Sequence, residues 1–380
     1  MNRRRFLAGG SALVVASACR DPNVPAPTPD GEPWMGGTFL GLAPFVAPAG
    51  RPFGTKYNAG WDARLLLELA TLDVDGLVVE DGDFYVRTEL PDRLDIAEAD
   101  WTVTIGGLAT PSTLTIAELR DRSEDQGLVL LECSGNGPTA KFGLMSAARW
   151  GGVLLADLLE GADAAAWGVE VVGFDDSSIP SENAHSTPGA TWILPLDSLA
   201  SSAAFLATTM NGEPLSADHG APVRLVVPGW YGCSCIKWVT GLVLVGPDAP
   251  STSQMLEFAN RTEQLDEEGP PLARDYLLPE IDHAATVVRV ERWRVDGRVR
   301  HRVIGLAWGG TEPAGTLSVV VGEGAWPADV QPVRDDLRTW ALWEHALDPD
   351  MSGEVVLSTA IEGVRTRRLD RGYYDMAFEL

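Results

Sequence analysis

Apolar residues along the chain fall into runs that predict two parts of different architecture. Before about residue 247, apolar spacing at three and four positions predicts helices over 116–122 and 153–159. The same part contains alternating and continuous apolar runs of the length expected for strands. These strands are predicted over residues 77–79, 84–86, 101–105, 128–131, 169–172, 223–227 and 236–245. The first part therefore mixes helices and strands.

The second part begins near residue 283 and consists almost entirely of short strands separated by glycine and aspartate turns. Strands at this spacing, over about 100 residues, predict an antiparallel β-sandwich. The predicted strands are residues 286–295, 301–308, 316–321, 339–343 and 354–360. Between 247 and 283 the composition shifts to proline, serine and acidic residues, which predicts a linker.

Composition and charge exclude several classes of protein. The 380 residues carry 54 acidic against 29 basic side chains, a net charge of −25. A surface this acidic repels phosphate backbones, which excludes a nucleic-acid-binding function. No apolar run approaches the roughly 18 residues that a membrane-spanning helix needs. At roughly 150 residues per domain, the length predicts two or three domains.

The N-terminus resembles an export signal. Arginines at positions 3–5 precede Phe6-Leu7 and a short apolar stretch, which resembles a twin-arginine signal; an ordinary secretory signal is the alternative. Residues 16–19 resemble a lipoprotein cleavage box with Cys19 as the lipidated residue, and a simple cleavage site is the alternative. Because the twin-arginine route exports folded proteins, it points towards a cofactor enzyme. We expect a periplasmic protein or a membrane-anchored lipoprotein.

These patterns divide the chain into five segments. We expect a signal over 1–18, a tether rich in proline and aspartate over 19–50, a first domain over 51–250, a linker over 251–275 and a second domain over 276–380.

Cys133 is the first candidate for chemistry. It ends a predicted buried strand and opens the turn Ser134-Gly135-Asn136, so its side chain is well placed to face a pocket. Three interpretations stay open: a small buried thiol, a ligand for a soft metal, or a nucleophile. A nucleophile paired with His219 would make the protein a thiol hydrolase.

A basic cluster is the second candidate. His219, Arg224 and Lys237 flank one predicted buried strand and its glycine-rich exit loop. Such a cluster suits an anionic cofactor that bears phosphate, whereas solvated surface cations are the plain alternative. Nearby, Cys233 and Cys235 are too close in sequence for good disulfide geometry, so we predict that they are not bonded to each other.

Several separated motifs resemble the sulfite oxidase family. They occur in the family's order, cover roughly residues 55–370, and comprise 84–87, 132–136, 148–153, 210–238 and 305–310. The resemblance implies an α+β fold, with a mixed α/β molybdopterin domain followed by an immunoglobulin-like β-sandwich that often mediates dimers. It also implies a molybdenum-molybdopterin cofactor.

The resemblance implies roles for particular residues. Cys133 is implied as the thiolate ligand of the molybdenum and Arg87 as a catalytic residue beside the metal, in accord with the preference of soft metals for thiolate. Cofactor contacts are implied at Tyr85, Arg87, Thr88, Cys133, Asn136, Asp175, His219, Arg224, Cys235 and Lys237.

The chain also departs from the family pattern. The family has Asn-His where this chain has Thr88-Glu89, and an arginine where this chain has Gly137. The family's catalytic tyrosine is absent from Ala190-Thr191-Trp192, and its substrate arginine is replaced in 311–313. Losing two cations and gaining Glu89 predicts a pocket less suited to a dianion such as sulfite. Trp192, Trp230 and Tyr231 could line a pocket for a neutral substrate or could be core aromatics.

The function expected from these features is an exported molybdopterin oxidoreductase that transfers an oxygen atom between water and a small-molecule substrate. Since the sequence has no Cys-x-x-Cys-His haem motif, we expect a separate electron-transfer protein, such as a cytochrome, as partner. The resemblance implies a homodimer formed through the C-terminal domain. Two alternatives stay open: a reductase of S- or N-oxides, and a catalytically silent lipoprotein that binds a partner.

Overall fold

The computed structural model describes residues 33–46, 52–73, 77–89, 97–174, 190–262, 272–311, 315–330, 338–347, 351–366 and 368–380. Its strands are β1 (Thr38–Leu42), β2 (Arg64–Leu65), β3 (Val86–Arg87), β4 (Thr102–Gly107), β5 (Ser112–Thr115), β6 (Glu124–Glu132), β7 (Met145–Leu154), β8 (Gly168–Gly173), β9 (Thr191–Pro195), β10 (Phe205–Met210), β11 (Glu213–Pro214), β12 (Arg224–Val226), β13 (Val239–Val245), β14 (Ala284–Val295), β15 (Arg298–Trp308), β16 (Leu317–Val321), β17 (Gly324–Pro327), β18 (Asp329–Val330), β19 (Ala341–Ala346), β20 (Glu354–Ile361) and β21 (Met376–Glu379). Its α-helices are α1 (Ile116–Asp121), α2 (Leu155–Leu158), α3 (Leu199–Ser202) and α4 (Ser253–Phe258).

The described residues between 52 and 262, here called the first unit, form two larger sheets. One sheet has the order β11-β10-β7-β6, with β12 also pairing with β10, and the other has the order β5-β4-β13-β8-β9. A short pair, β2-β3, lies beside them. The apolar run that predicted a strand over 128–131 lies in β6 and is buried. The core includes the fully buried indole rings of Trp101, Trp150, Trp192 and Trp238.

The two predicted helices are shorter in the structure than the sequence pattern predicts. The helix predicted over 153–159 is reduced to α2, because Val153 and Leu154 pair with β10 as the end of β7. α1 begins with a capping box in which Thr115 and Glu118 satisfy each other's backbone N–H groups. None of the α-helices in the described ranges exceeds six residues. No helix within those ranges is long and apolar enough to cross a membrane.

The described residues from 272 onward, here called the second unit, form two antiparallel sheets, one of which also contains β1 from the N-terminal segment. Their orders are β1-β14-β15-β19-β18 and β17-β16-β20-β21. β14 and β15 are joined by Asp296-Gly297, both with positive φ as a tight hairpin turn requires. The predicted strands of this part are found as β14, β15, β16, β19 and β20. Two stacked antiparallel sheets accord with the predicted sandwich, while its immunoglobulin-like class stays a prediction.

The N-terminal segment is folded onto the second unit. β1 pairs antiparallel with β14, Ala43 N–H donates to Val290 O, and residues 44–46 bond to β21. The predicted tether over 19–50 therefore contains an ordered strand in its described part. The sequence pattern could not reveal it, because β1 is only partly buried and is held mainly by main-chain hydrogen bonds.

The predicted linker over 251–275 also contains ordered structure. α4 begins after Thr252, whose side chain accepts the N–H of Met255. The hydroxyl of Tyr276 donates to Met255 O over 2.9 Å, which ties the end of the linker to this helix. α4 therefore has a fixed place within the first unit, where it lines the site described next.

Candidate functional site

One cavity in the first unit gathers most of the predicted site residues. Of those residues it is lined by Tyr85, Arg87, Thr88, Cys133, His219, Arg224, Cys235 and Lys237. Asn136 lies outside the lining, and Asp175 lies outside the described residues. Residues that sequence reasoning missed also line it: Trp61, Asp218, Cys233, Gln254, Glu257 and Phe258. The last three lie on α4, where an amphipathic pattern of only six residues gave no usable signal.

Cys133 is held in a tight turn that follows β6. Its side chain is 5% exposed, and its sulfur accepts the N–H of Gly135 over 3.4 Å. Asn136 supports the turn, because its amide accepts the N–H of Leu144 and donates to Glu132 Oε1. In this structure Asn136 therefore shapes the turn that carries Cys133.

His219 has both ring nitrogens engaged. Nε2 lies 3.2 Å from Phe84 O and Nδ1 lies 2.7 Å from Ser216 Oγ. A carbonyl oxygen only accepts, so Nε2 carries the proton and Nδ1 accepts from the hydroxyl. Burial, with the charges of Arg224 and Lys237, lowers the pKa of His219 from 6.5 to about 4. The neutral, occupied ring is not arranged to take a proton from Cys133, which argues against a thiol hydrolase.

Arg224 brings an incompletely paired cation into the cavity. Its Nη1 donates to His219 O over 2.9 Å, and its Nη2 donates to Cys235 O over 3.4 Å. The remaining nitrogen, Nε, is buried and has no hydrogen-bond partner among the described residues. Buried donors are rarely left unpaired, so this N–H calls for an acceptor that the described residues do not supply.

Gly220 makes the cluster possible. Its φ is +105°, and a Cβ there would lie 2.9 Å from Arg224 Cβ and 3.1 Å from Lys237 Cβ. Only glycine combines that conformation with so close an approach. The residue thus lets His219, Arg224 and Lys237 meet.

Two lysines, Lys237 and Lys56, bind residues that line the cavity. Lys237 Nζ donates to Thr88 O over 2.6 Å and to Asp218 O over 2.9 Å. Lys56 bridges the carboxylates of Glu89 and Asp218. The negative charge that Glu89 brings in place of the family histidine is therefore paired with Lys56.

A second cavity lies against the Cys133 turn. It has a volume of about 370 Å³ and is lined by Ser134, Gly135, Asn260, Arg261, Arg368, Arg371 and Tyr373. We call it the arginine cavity. A Cβ built at Gly135 would lie 3.4 Å from Arg261 Nη1 and 3.7 Å from Cys133 Sγ, so Gly135 separates this cavity from the sulfur, which lines the first cavity.

Arg368 is the most constrained of its three arginines. Its Nη2 donates to Ser134 O over 3.0 Å, while Nη1 is buried without an acceptor in hydrogen-bonding geometry among the described residues. Burial alone would lower the pKa of Arg368, yet nearby Tyr231, Tyr374 and Glu132 together raise it. The guanidinium is therefore firmly charged.

A pocket less suited to a dianion stays a prediction, but the structure places three arginines in the cavity beside the Cys133 turn. A Cβ at Gly137 would lie 2.5 Å from Tyr373 Oη, so the family's arginine has no room there. Positive charge comes instead from Arg261, beyond α4, and from Arg368 and Arg371 in the second unit. These residues are distant in sequence from the family's positions, and only the fold brings them to the turn.

Other sequence-based expectations have mixed outcomes. Trp192, Trp230 and Tyr231 are buried and do not line the main cavity, in accord with core aromatics. Cys233 and Cys235 are not bonded to each other, as predicted. Within the described ranges no cluster of three or more His, Cys, Asp or Glu could hold a metal ion. A metal bound by Cys133 would therefore need most of its ligands from a cofactor.

Comparisons with known proteins agree on one family. A model described as the oxidoreductase molybdopterin binding domain matches residues 88–253. The chain is 27% identical over 246 residues to the mitochondrial sulfite oxidase of Drosophila melanogaster, covering 60% of this chain and 42% of that protein. It is 29% identical over 209 residues to a nitrate reductase [NADPH] of Aspergillus niger, covering 51% of this chain and 23% of that protein. It thus spans less than half the length of these relatives.

Among solved structures, the sulfane dehydrogenase SoxCD from Paracoccus pantotrophus superposes with a TM-score of 0.59 at 19% identity. The alignment covers 88% of each chain, so the fold is shared across both units. The family model and the curated relatives imply a molybdenum-molybdopterin cofactor for this chain. The family model and the curated relatives together support a molybdopterin-dependent oxidoreductase of the sulfite oxidase family, and the solved structure shows that the fold is shared.

Proposed function

We propose that this protein is a molybdenum-dependent oxidoreductase that transfers an oxygen atom between water and a small oxyanion. The observation that carries the proposal is one cavity that unites a soft thiol, Cys133, with the buried, unpartnered Nε of Arg224. A molybdenum-pterin cofactor needs both, a thiolate for the metal and donors for its polar, phosphate-bearing end.

The residues present fit that cofactor. Cys133 would hold the molybdenum, and Arg224, His219 and Lys237 would hold the pterin and its phosphate. The enclosed volume of the cavity is about 110 Å³, below the roughly 300 Å³ of ordinary small-molecule sites. We expect lining side chains to move apart on binding, above all Lys237, which is bonded here to backbone carbonyls.

The cofactor, Cys133 and Arg87 would each contribute differently to the reaction. When bound, the cofactor supplies the two-electron redox change and the oxygen transfer. Cys133 contributes a sulfur oriented by the N–H of Gly135. Arg87 lines the same cavity, anchored by a hydrogen bond from its Nη1 to Trp61 O, and would orient the reacting oxyanion.

The arginine cavity supports an oxyanion as the substrate class. Arginine guanidinium groups bind planar and tetrahedral oxyanions with paired, charge-assisted hydrogen bonds. Arg261 lines this cavity and lies against Gly135, two residues after Cys133. An oxyanion held there would lie beside the turn that carries Cys133.

The direction of the reaction and its setting are further parts of the proposal. The relatives include a sulfite oxidase and a nitrate reductase. We therefore propose two alternative directions for the reaction, which are oxidation of a sulfur oxyanion and reduction of an S- or N-oxide. We propose that a separate electron-transfer protein, such as a cytochrome, is the redox partner. Export by the twin-arginine route, lipidation at Cys19, a periplasmic location and a homodimer remain proposals from the sequence.

The first test is molybdenum per chain, measured by elemental mass spectrometry on protein from a host that makes molybdopterin. We expect about one metal per wild-type chain. In Cys133→Ala, activity should fall at least a thousandfold because the metal loses its protein ligand. Cys233→Ala is the matched control, since it removes another buried thiol from the same cavity and should keep both metal and activity.

A wild-type chain that contains neither molybdenum nor pterin would contradict the proposal. That outcome would favour the catalytically silent lipoprotein, whose sandwich would then be studied as a binding surface.

A further inference from the structure

We infer that the second unit sets the position of Cys133 in the first unit through three side chains that grip its turn. These are Trp308, Arg368 and Tyr373, here called the turn clamp. The inference rests on the proposed function, because it concerns the residue assigned to the metal. It makes the three side chains positioning residues, which act through Cys133.

The first contact lies immediately before the cysteine. Trp308 at the end of β15 donates its indole N–H to Glu132 Oε2 over 2.8 Å. Glu132 is completely buried, and its other oxygen accepts from Asn136 over 3.2 Å. A buried carboxylate tolerates little displacement from its donors, so β15 and the two ends of the turn are fixed to one another.

The other two contacts follow the cysteine. Arg368 Nη2 donates to Ser134 O over 3.0 Å, and the hydroxyl of Tyr373 donates to Asn136 O. The clamp therefore holds Glu132, which precedes Cys133, and Ser134 and Asn136, which follow it. Because both flanking peptides are held, the direction of the Cys133 side chain is restricted from both sides.

The clamp is itself rigidly packed. Tyr374 makes edge contacts with Trp308 at 5.5 Å and with Tyr373 at 5.2 Å between ring centroids, and Arg368 lies over the Tyr373 ring at 5.4 Å. Such packed aromatic groups lose little freedom when they form hydrogen bonds. A rigid support behind a metal ligand is the usual means by which a protein sets ligand geometry.

Trp308→Phe and Tyr373→Phe test the inference, since each removes one donor and keeps a ring. Two matched controls remove the same donors elsewhere. Trp293→Phe loses an indole bond to the buried Glu291, and Thr359→Val loses a hydroxyl bond to Ala285 O. If Trp308→Phe fails to fold, Tyr373→Phe still decides the outcome, because it removes a single oxygen atom.

Two readouts are measured. In cofactor-free protein, hydrogen exchange of the amides of Cys133 and Asn136 should quicken at least tenfold in both clamp variants and stay unchanged in both controls. In loaded protein, the electron paramagnetic resonance spectrum of one-electron-reduced molybdenum should shift in the clamp variants only, at wild-type metal content.

Exchange and spectra like those of wild type would overturn the inference, and so would equal changes in clamp and control variants. A wild-type chain without molybdenum would overturn the proposed function instead. In that case the exchange measurement alone would support or overturn the clamp.

Discussion

Arg224 and His219 illustrate how single buried side chains set the charge and the hydrogen-bonding groups of the cavity that contains Cys133. Burial lowers the pKa of Arg224, yet one of its N–H groups has no acceptor among the described residues. His219 avoids the free-energy cost of a buried charge because its ring is neutral, with one nitrogen donating and one accepting a hydrogen bond. The two side chains thus combine one strong cation with a neutral, fixed imidazole.

His219 predicts a pH dependence of stability. Its pKa is about 4 in the folded chain and 6.5 in the unfolded reference, so the unfolded chain takes up the proton first as pH falls. His219 therefore costs no stability above pH 6.5. Between pH 6.5 and 4 the free energy of unfolding should fall by about 3 kcal/mol on account of this group. In cofactor-free His219→Gln, the free energy of unfolding measured by urea denaturation should not show this decrease of about 3 kcal/mol between pH 6.5 and 4. An unchanged pH dependence would contradict the lowered pKa of His219 in the folded chain.

At the level of elements, β1 covers an edge that would otherwise be exposed. It pairs with β14, which is already bonded to β15 on its other side. Uncovered edge strands invite pairing between molecules. The N-terminal segment therefore protects the second unit as well as adding hydrogen bonds to it.

Truncation tests this role of β1. Removing residues up to 42 deletes four cross-strand pairs with β14, which at roughly 0.2–1 kcal/mol each should lower the free energy of unfolding by about 2 kcal/mol. Removing residues up to 32 deletes nothing that the structure describes, and should leave stability unchanged. Denaturant unfolding and size-exclusion chromatography would measure both, and equal stability of the two truncations would contradict the role given to β1.

At the level of the whole molecule, the arginine cavity depends on both units. Arg261 follows α4, whereas Arg368 and Arg371 belong to the second unit. These three arginines place positive charge beside the Cys133 turn, although the whole chain carries a net charge of −25.

Arg261→Gln tests the arginine cavity. Because this guanidinium lies next to the Cys133 turn, its loss should raise KM for an oxyanion substrate about tenfold, which corresponds to about 1.4 kcal/mol of binding. We expect kcat and molybdenum content to change little. Arg298→Gln, an equally exposed arginine on the distant β15 hairpin, is the control. Equal KM values in the two variants would contradict an oxyanion site in this cavity.

The sequence by itself was sufficient to predict the strands and site residues that depend on local residue pattern and on the order of motifs. Buried runs located β6, β8 and most strands of the second unit, and eight of the ten implied cofactor residues line one cavity. These features could be predicted because burial selects apolar residues along a strand, and a resident cofactor restricts the residue types around it.

Only the tertiary structure decided what depends on contacts between distant segments. Main-chain pairing made an ordered strand of part of the expected tether, since backbone hydrogen bonds leave little trace in side-chain pattern. Tyr373 occupies the space beside Gly137, and arginines distant from one another in sequence line the cavity beside the Cys133 turn. Electrostatic attraction depends on distance in space and not on separation along the chain, so the sequence could count these charges but not place them.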